Sequence, residues 1–438
     1  MKTVVILSCI TRDFMVSYLR NTRKARSTTM YTKKQKARQI LPAAAMNFLI
    51  YGMNAVYYPF VSIFLGRNFD DIPKGQLLSI GPIVICISLL FWGRIADAAK
   101  TKNSVLTGVI IAACVSFAAL MTCTAFLPTA IALAVLMCFM APYISFTDTI
   151  TLEALEKCGV PYGPVRVLGT AGYAVISVIA GQAIDRGLFP YSAVYLVTAA
   201  LAIAAVMLTP KVAGGSHVSE DESKEETEKK SSSRRLSALL PTLRRPDYLI
   251  VVAVNFVGCY AWFYSLDFLP GYLTENFGMS TSFWGLNTAA ALALEIPFFI
   301  LFDKIYSKFS LKTIMLVSVF FSIARYVLLY FTQGGVPLLI LSAFTGAWVS
   351  IFCYCAIYFL HKIVPDEHRA AGISITIALG QYLPQVLAGQ LGGVLTEKLG
   401  FQTCTAINAA AFLLCLIPVL LLPKGTFLIR KEEPDRKG

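Results

Sequence analysis

Residues 142–173 read PYISFTDTITLEALEKCGVPYGPVRVLGTAGY. The apolar run that enters this stretch carries one acid, Asp148. A short polar hairpin follows, and the next apolar run opens on one base, Arg166, and then glycines. A lone ion inside a hydrophobic segment costs roughly 2.5–3.5 kcal/mol even on insertion scales. Opposite charges on consecutive apolar segments are therefore expected to meet each other or a ligand. The rest of the chain reads as a frame around them.

Composition supports that frame. The 438 residues are 56% hydrophobic, with a mean hydropathy of +0.66 and only 14% charged residues, whereas soluble proteins carry about 25%. The sequence predicts an integral membrane protein. Twelve spans of about 20 residues need roughly 240 apolar-dominated positions, which the chain supplies. The net charge of +13 would suggest a nucleic-acid partner in a soluble domain. In a membrane protein it follows from cationic loops on one side, so nucleic acid is not expected.

Twelve apolar segments, numbered here as spans 1 to 12, fall at about 40–65, 75–97, 104–126, 129–150, 163–184, 189–209, 248–272, 282–303, 311–332, 335–361, 369–393 and 400–422. In lipid only helices or closed barrels satisfy every backbone polar group. These runs are too long and continuous for barrel strands, so the expectation is all-α. Residues 210–247 hold SEDESKEETEKKSSSRR, a solvated mixed-charge linker without core-forming residues. It separates an N-terminal bundle at 40–209 from a C-terminal bundle at 248–422, between a basic tail at 1–39 and a second tail at 423–438. The decamer MKTVVILSCI is too short to span and lacks the cleavage pattern of a signal peptide. With both termini cytoplasmic, 32 of the 38 Lys and Arg fall on the cytoplasmic side and four, Arg67, Lys74, Arg186 and Lys398, outside. That asymmetry predicts the orientation, in the plasma membrane.

The eleven cysteines are scattered through apolar runs without a CxxC and read as free thiols packed as small hydrophobes. No metal site or other cofactor is implied. His217, His361 and His368 all fall in predicted cytoplasmic segments, which leaves no histidine to carry protons within the membrane. The phosphate-binding GxxxxGK[ST] and the metalloprotease HExxH are absent, so neither ATP-driven transport nor an enzyme is expected.

Between spans 2 and 3 stands Gly93-Arg94-Ile95-Ala96-Asp97, followed by Lys100 and Lys102. This resembles the loop signature of the major facilitator superfamily, with departures at Ala98 and Lys100. Asp303, Lys304 and Lys308 echo it weakly in the second half. Tyr162-Gly163-x-x-Arg166-x-x-Gly169-x-x-Gly172-Tyr173 is similar to the start of span 5 in the branch holding lactose permease, nucleoside–proton symporters and phenylpropionate permease. The resemblance implies twelve transmembrane helices in two pseudo-symmetric six-helix bundles around a central cavity. It also implies proton-coupled symport of a small organic solute, with Asp148 and Arg166 as a ligand pair and Tyr173 as a stacking face. The simpler reading is that Arg166 snorkels from the first turn of its span to the surface.

Further candidates follow from the residues. Asn47, Tyr51, Asn54 and Tyr58 in span 1 share one helical face, as cavity lining or as helix-packing groups. Span 7 carries Tyr260, Tyr264 and Asp267 on one face, near Trp262 and Pro270, and span 11 carries Ser374, Gln381 and Gln385. Glu295 in span 8 and Arg325 in span 9 each stand deep in apolar runs. Such charges are costly alone and tolerable as a pair, and they resemble the phenylpropionate permease pattern. A desolvated carboxylate there would load and release protons near neutral pH. The His and Glu of span 10 in lactose permease have no counterpart among Trp348, Ser350, Tyr354 and Tyr358, so coupling would fall to Glu295, with Asp267 and Arg325. Three rivals share these features: an efflux antiporter, a facilitative carrier and a non-transporting sensor. Neither the solute nor the oligomeric state is legible, although a monomer is expected.

Overall fold

The computed structural model describes residues 33–156, 158, 160, 162–187, 191–212, 241, 243–293, 309–332, 334–343, 372 and 375–422. All regular structure among them is helical. Eight helices there are long and apolar enough to cross a membrane, as the hydropathy of the sequence predicts.

The first span is not one rod. α1 (Lys33–Tyr57) gives way to α2 (Val61–Gly66) through a turn at 58–60, where Pro59 removes a backbone donor. α1 also begins inside the segment expected to be tail. α3 (Asp71–Ala98) and α4 (Lys102–Thr122) follow. The fourth span is longer than its apolar core suggests and is split in two at Ala141–Pro142. α5 (Phe126–Met140) precedes that break and α6 (Tyr143–Glu156) follows it. α7 (Tyr162–Asp185) and α8 (Tyr191–Leu208) complete the first half. The second half contains α9 (Pro246–Phe277), α10 (Thr281–Ala293) and α11 (Leu311–Phe331). A π turn at Ala378–Tyr382 then leads into α12 (Leu383–Leu399), and α13 (Phe401–Leu421) ends the helical order.

The π turn has a local cause. Pro384 has no N–H for the Gly380 carbonyl, and the Asn255 amide of α9 donates to that carbonyl instead, at 3.2 Å. The Leu383 N–H reaches back to the Ala378 carbonyl, the wider ring of a π turn.

The halves repeat one construction. Thr101 caps α4 by accepting from the Ser104 N–H, and Ser310 caps α11 by accepting from the Thr313 N–H. The start of α4 is tied to the end of α8, where Asn103 Nδ2 donates to the Val206, Thr209 and Pro210 carbonyls. The start of α11 is tied to the end of α13, where Lys312 Nζ donates to the Leu420 and Leu422 carbonyls.

The halves meet along α7–α10 and α3–α12. Glycines permit the close approach: a Cβ on Gly75 would lie 2.2 Å from the Gly389 carbonyl oxygen, and one on Gly285 2.4 Å from that of Ser177. Polar ties lie at the same end of the bundle. Asp185 accepts from the Thr281 and Ser282 N–H groups at 2.9 and 2.6 Å, and Glu397 accepts from the Ile72 N–H at 3.2 Å. At the opposite end, the ties among described residues stay within one half, as in Lys102–Glu153 (3.0 Å) and Tyr248–Thr376 (2.8 Å).

Candidate functional site

The site starts with a helix crossing. α7 packs against α1 through Gly172, where a Cβ would lie 2.1 Å from the Phe48 carbonyl oxygen, and through Gly169, where it would lie 2.8 Å from the Tyr51 ring. The small residues three apart let the backbones approach. That contact sets Arg166, one turn earlier on α7, over Tyr51, with the guanidinium carbon 4.1 Å from the ring centroid. Arg166 is 8% exposed, so its head does not snorkel to the surface.

Asp148 comes to the same place from α6. Its Oδ1 lies 4.0 Å from Arg166 Nε and accepts from the Tyr162 hydroxyl at 2.5 Å. Its Oδ2 is buried with no hydrogen-bond partner among the described residues. The two charges quoted at the outset therefore converge, joined by two tyrosines, one of which opens the Arg166 helix. Tyr162 had been read only as part of a motif. Its closeness depends on the hairpin geometry, which spacing does not encode.

The polar stripe of span 1 divides among neighbours. Asn47 Nδ2 donates to the Ala43 carbonyl at 2.8 Å and to Thr151 Oγ1 at 2.6 Å, a contact between α1 and α6. Tyr51 faces Arg166. Asn54 is buried with its amide near the Ile50 carbonyl, and half-buried Tyr58 stands edge-on to Tyr57. Asp267 is half-buried, and its backbone carbonyl accepts from the Ser62 hydroxyl. Gln381 is buried in the π turn with Oε1 lacking a partner among the described residues, and Gln385 is half-buried one turn on.

Tyr264 requires a correction. It does not face the cavity described below. It stacks on Phe268 and Phe401 and its hydroxyl shares a 2.9 Å hydrogen bond with Thr396, so it packs α9 against α12 and α13. The face shared with Asp267 in projection is spent on helix packing. Glu295, Ser374, the span 10 residues and the side chains of Gly93 and Asp97 lie outside the described residues, while Arg94 is exposed.

A partly open cavity lies between the halves. Pro59 and Tyr173 line it from the first half, and Trp262, Trp284, Asn287 and Arg325 are among those lining it from the second. Tyr173 follows Arg166 by seven residues on α7, roughly 10 Å along the axis. Arg325 is 8% exposed; its guanidinium carbon lies 5.0 Å from the Tyr326 centroid and 5.8 Å from that of Trp262. Trp284 and Asn287 were missed in the sequence, where a tryptophan in an apolar helix has no distinguishing mark.

The sequence matches the MFS_1 like family over residues 41–405. The chain belongs to that family, within the major facilitator superfamily. This member is 24% identical to an uncharacterized transporter, YwbF, of Bacillus subtilis (strain 168) over 333 residues, covering 74% of this chain and 78% of the relative. It is 22% identical to a maltose permease of Geobacillus stearothermophilus over 383 residues, or 84% and 92% of the two chains. Its fold is similar to that of the nucleoside transporter NupG, with a TM-score of 0.72 at 15% identity, covering 87% of this chain and 98% of NupG. It is also similar to the peptide transporter POT in complex with sulfate, with a TM-score of 0.64 at 11% identity and coverages of 86% and 93%. The family member is thus a multi-pass membrane transporter with the major facilitator fold.

Proposed function

We propose that this transporter is a proton-coupled symporter that moves a small organic solute, of the sugar, nucleoside or aromatic-acid class, by alternating access. The reading takes the chain as twelve spans in two six-helix bundles, 40–209 and 248–422, joined by the 210–247 linker. Both termini are cytoplasmic, in the plasma membrane. The observation that carries it is the buried cluster of Asp148, Arg166, Tyr51 and Tyr162, in which Arg166 and Tyr162 belong to the helix that also carries the cavity-lining Tyr173. A buried carboxylate beside a guanidinium on an aromatic face is equipped to bind hydroxyl-bearing or planar solutes from both sides of their hydrogen-bond inventory.

Asp148 and Arg166 act as the ligand pair, Tyr173 as the stacking face, and Asn47, Tyr51, Asn54, Tyr58, Gln381 and Gln385 as the surrounding polar wall. Glu295, Arg325 and Asp267 form the coupling group. The turns at 67–70, 186–187 and 278–280 lie outside by the charge count, so the sealed end is the external one, and rocking of the halves about the cavity exchanges the seal.

Uptake into proteoliposomes under an imposed pH gradient tests the whole reading. Gradient-driven accumulation of one of these solute classes is expected, abolished by a protonophore. Arg166→Ala should eliminate saturable binding while the protein still expresses, and near-normal uptake would end its ligand role. Glu295→Gln should lose accumulation but keep solute exchange. Accumulation that survives would make Glu295 structural, and export instead of uptake would identify an antiporter.

A further inference from the structure

Among the described residues, the cavity between the halves holds a cation without a carboxylate. Arg325 is more than nine-tenths buried, and its Nε and Nη1 have no hydrogen-bond partner among the described residues. The same is true of the indole Nε1 of Trp284, which is 5% exposed. Both groups line the cavity, and both only donate. The hydroxyls around them are committed elsewhere. Ser265 donates to the Ala261 carbonyl at 3.0 Å, Thr288 to the Trp284 carbonyl at 3.0 Å, and Ser342 to Asn287 Oδ1. No Asp or Glu is among the described lining residues.

An arginine stays charged at any physiological pH, and a buried charge without a partner costs several kcal/mol. Two unsatisfied donors beside one cavity are the complement of an acceptor with negative charge. Trp262 and Tyr173 on the same walls supply flat apolar faces. We infer that Arg325 and Trp284 form an anion-binding subsite of this cavity, and that the transported solute carries a carboxylate on a planar or aromatic body. This rests on the transport reading above and narrows its solute class to organic acids. In it the carboxylate accepts from Arg325 and from Trp284 Nε1, while its ring lies against Trp262 or Tyr173.

Matched probes test it: benzoate and indole-3-acetate against benzamide and indole-3-acetamide, with the full-length protein in nanodiscs. Binding is read by thermal shift and by quenching of the protein's tryptophan fluorescence. The acids should bind saturably and at least tenfold more tightly than their amides. Arg325→Gln should erase that preference. Trp284→Phe, which keeps the ring and loses the N–H, should weaken the acids by roughly 10-fold, as expected for loss of a hydrogen bond to a charged group, and leave the amides within about twofold. If Arg325→Gln fails to fold, Arg325→Lys, which keeps charge but loses the planar fork, should reduce the preference instead. Equal binding of acids and amides, acid binding unchanged in the Arg325 and Trp284 variants, or no binding of either series would overturn the subsite. Gradient-driven uptake of a neutral sugar or nucleoside that is insensitive to Trp284→Phe would overturn it while leaving the transport reading standing. Acid binding without accumulation in proteoliposomes would leave the subsite and end the transport reading.

Discussion

Arg166 and Arg325 are buried to the same degree, 8% exposed each, but in different company. Arg166 has a carboxylate at 4.0 Å and a tyrosine face beneath it. Arg325 has aromatic neighbours only among the described residues, and it lines a cavity. Equal burial therefore does not imply equal chemistry. In the first half the charge is neutralised by the chain itself, a fixed arrangement that a solute would have to compete with or join. In the second half neutralisation is left to something outside the described structure. Arg325 lines the cavity between the halves, whereas the Asp148–Arg166 pair lies outside its lining, about two turns of α7 from Tyr173.

Substitutions that remove one member at a time break this comparison or sharpen it. Asp148→Ala strips Arg166 of its counter-charge in a buried place and should destabilise the protein by about 3–5 kcal/mol, read as a large fall in thermal unfolding temperature in detergent. A fall no larger than that of an exposed control would mean the pair is not energetically coupled. Tyr162→Phe keeps the ring and deletes the 2.5 Å hydrogen bond to Asp148. It should cost about 1.5–3 kcal/mol, and a double-mutant cycle with Asp148→Asn should show that most of the loss is shared. Arg325→Met should behave oppositely. Replacing a charge without a local carboxylate by apolar volume should leave stability within about 1 kcal/mol of the parent, or raise it. A loss as large as that of Asp148→Ala would show that a carboxylate of the chain, Glu295 foremost, reaches Arg325, and the contrast between the halves would disappear.

Much of this was legible beforehand. The apolar, all-helical build and the meeting of Asp148 with Arg166 follow from the cost of charge and backbone in lipid, which is a property of residue type and spacing. The resemblance of the Tyr162–Tyr173 stretch pointed to the correct superfamily. Other features were not legible. Tyr264 shares a helical face with Asp267 in projection, yet its ring is taken by Phe268 and Phe401, because a helical wheel shows direction but not the neighbour in that direction. Asn47 reads equally as cavity lining or as a packing group, and only the structure shows its amide tying α1 to α6. Trp284 gave no signal, since an indole N–H without a partner is visible only once its surroundings are.

The sequence by itself determined that this chain lives in a bilayer as packed helices, and which charges it must reconcile there. Those outcomes are dictated locally, by hydrogen bonds that lipid cannot supply and ions it cannot solvate. Only the tertiary structure decided which helices bring those charges together, at which end of the bundle the described polar ties join the halves, and which buried donors stand beside a cavity. Each of these depends on groups tens to hundreds of residues apart, such as Asp185 with Thr281 or Pro59 with Arg325, whose approach is set by close packing of whole helices.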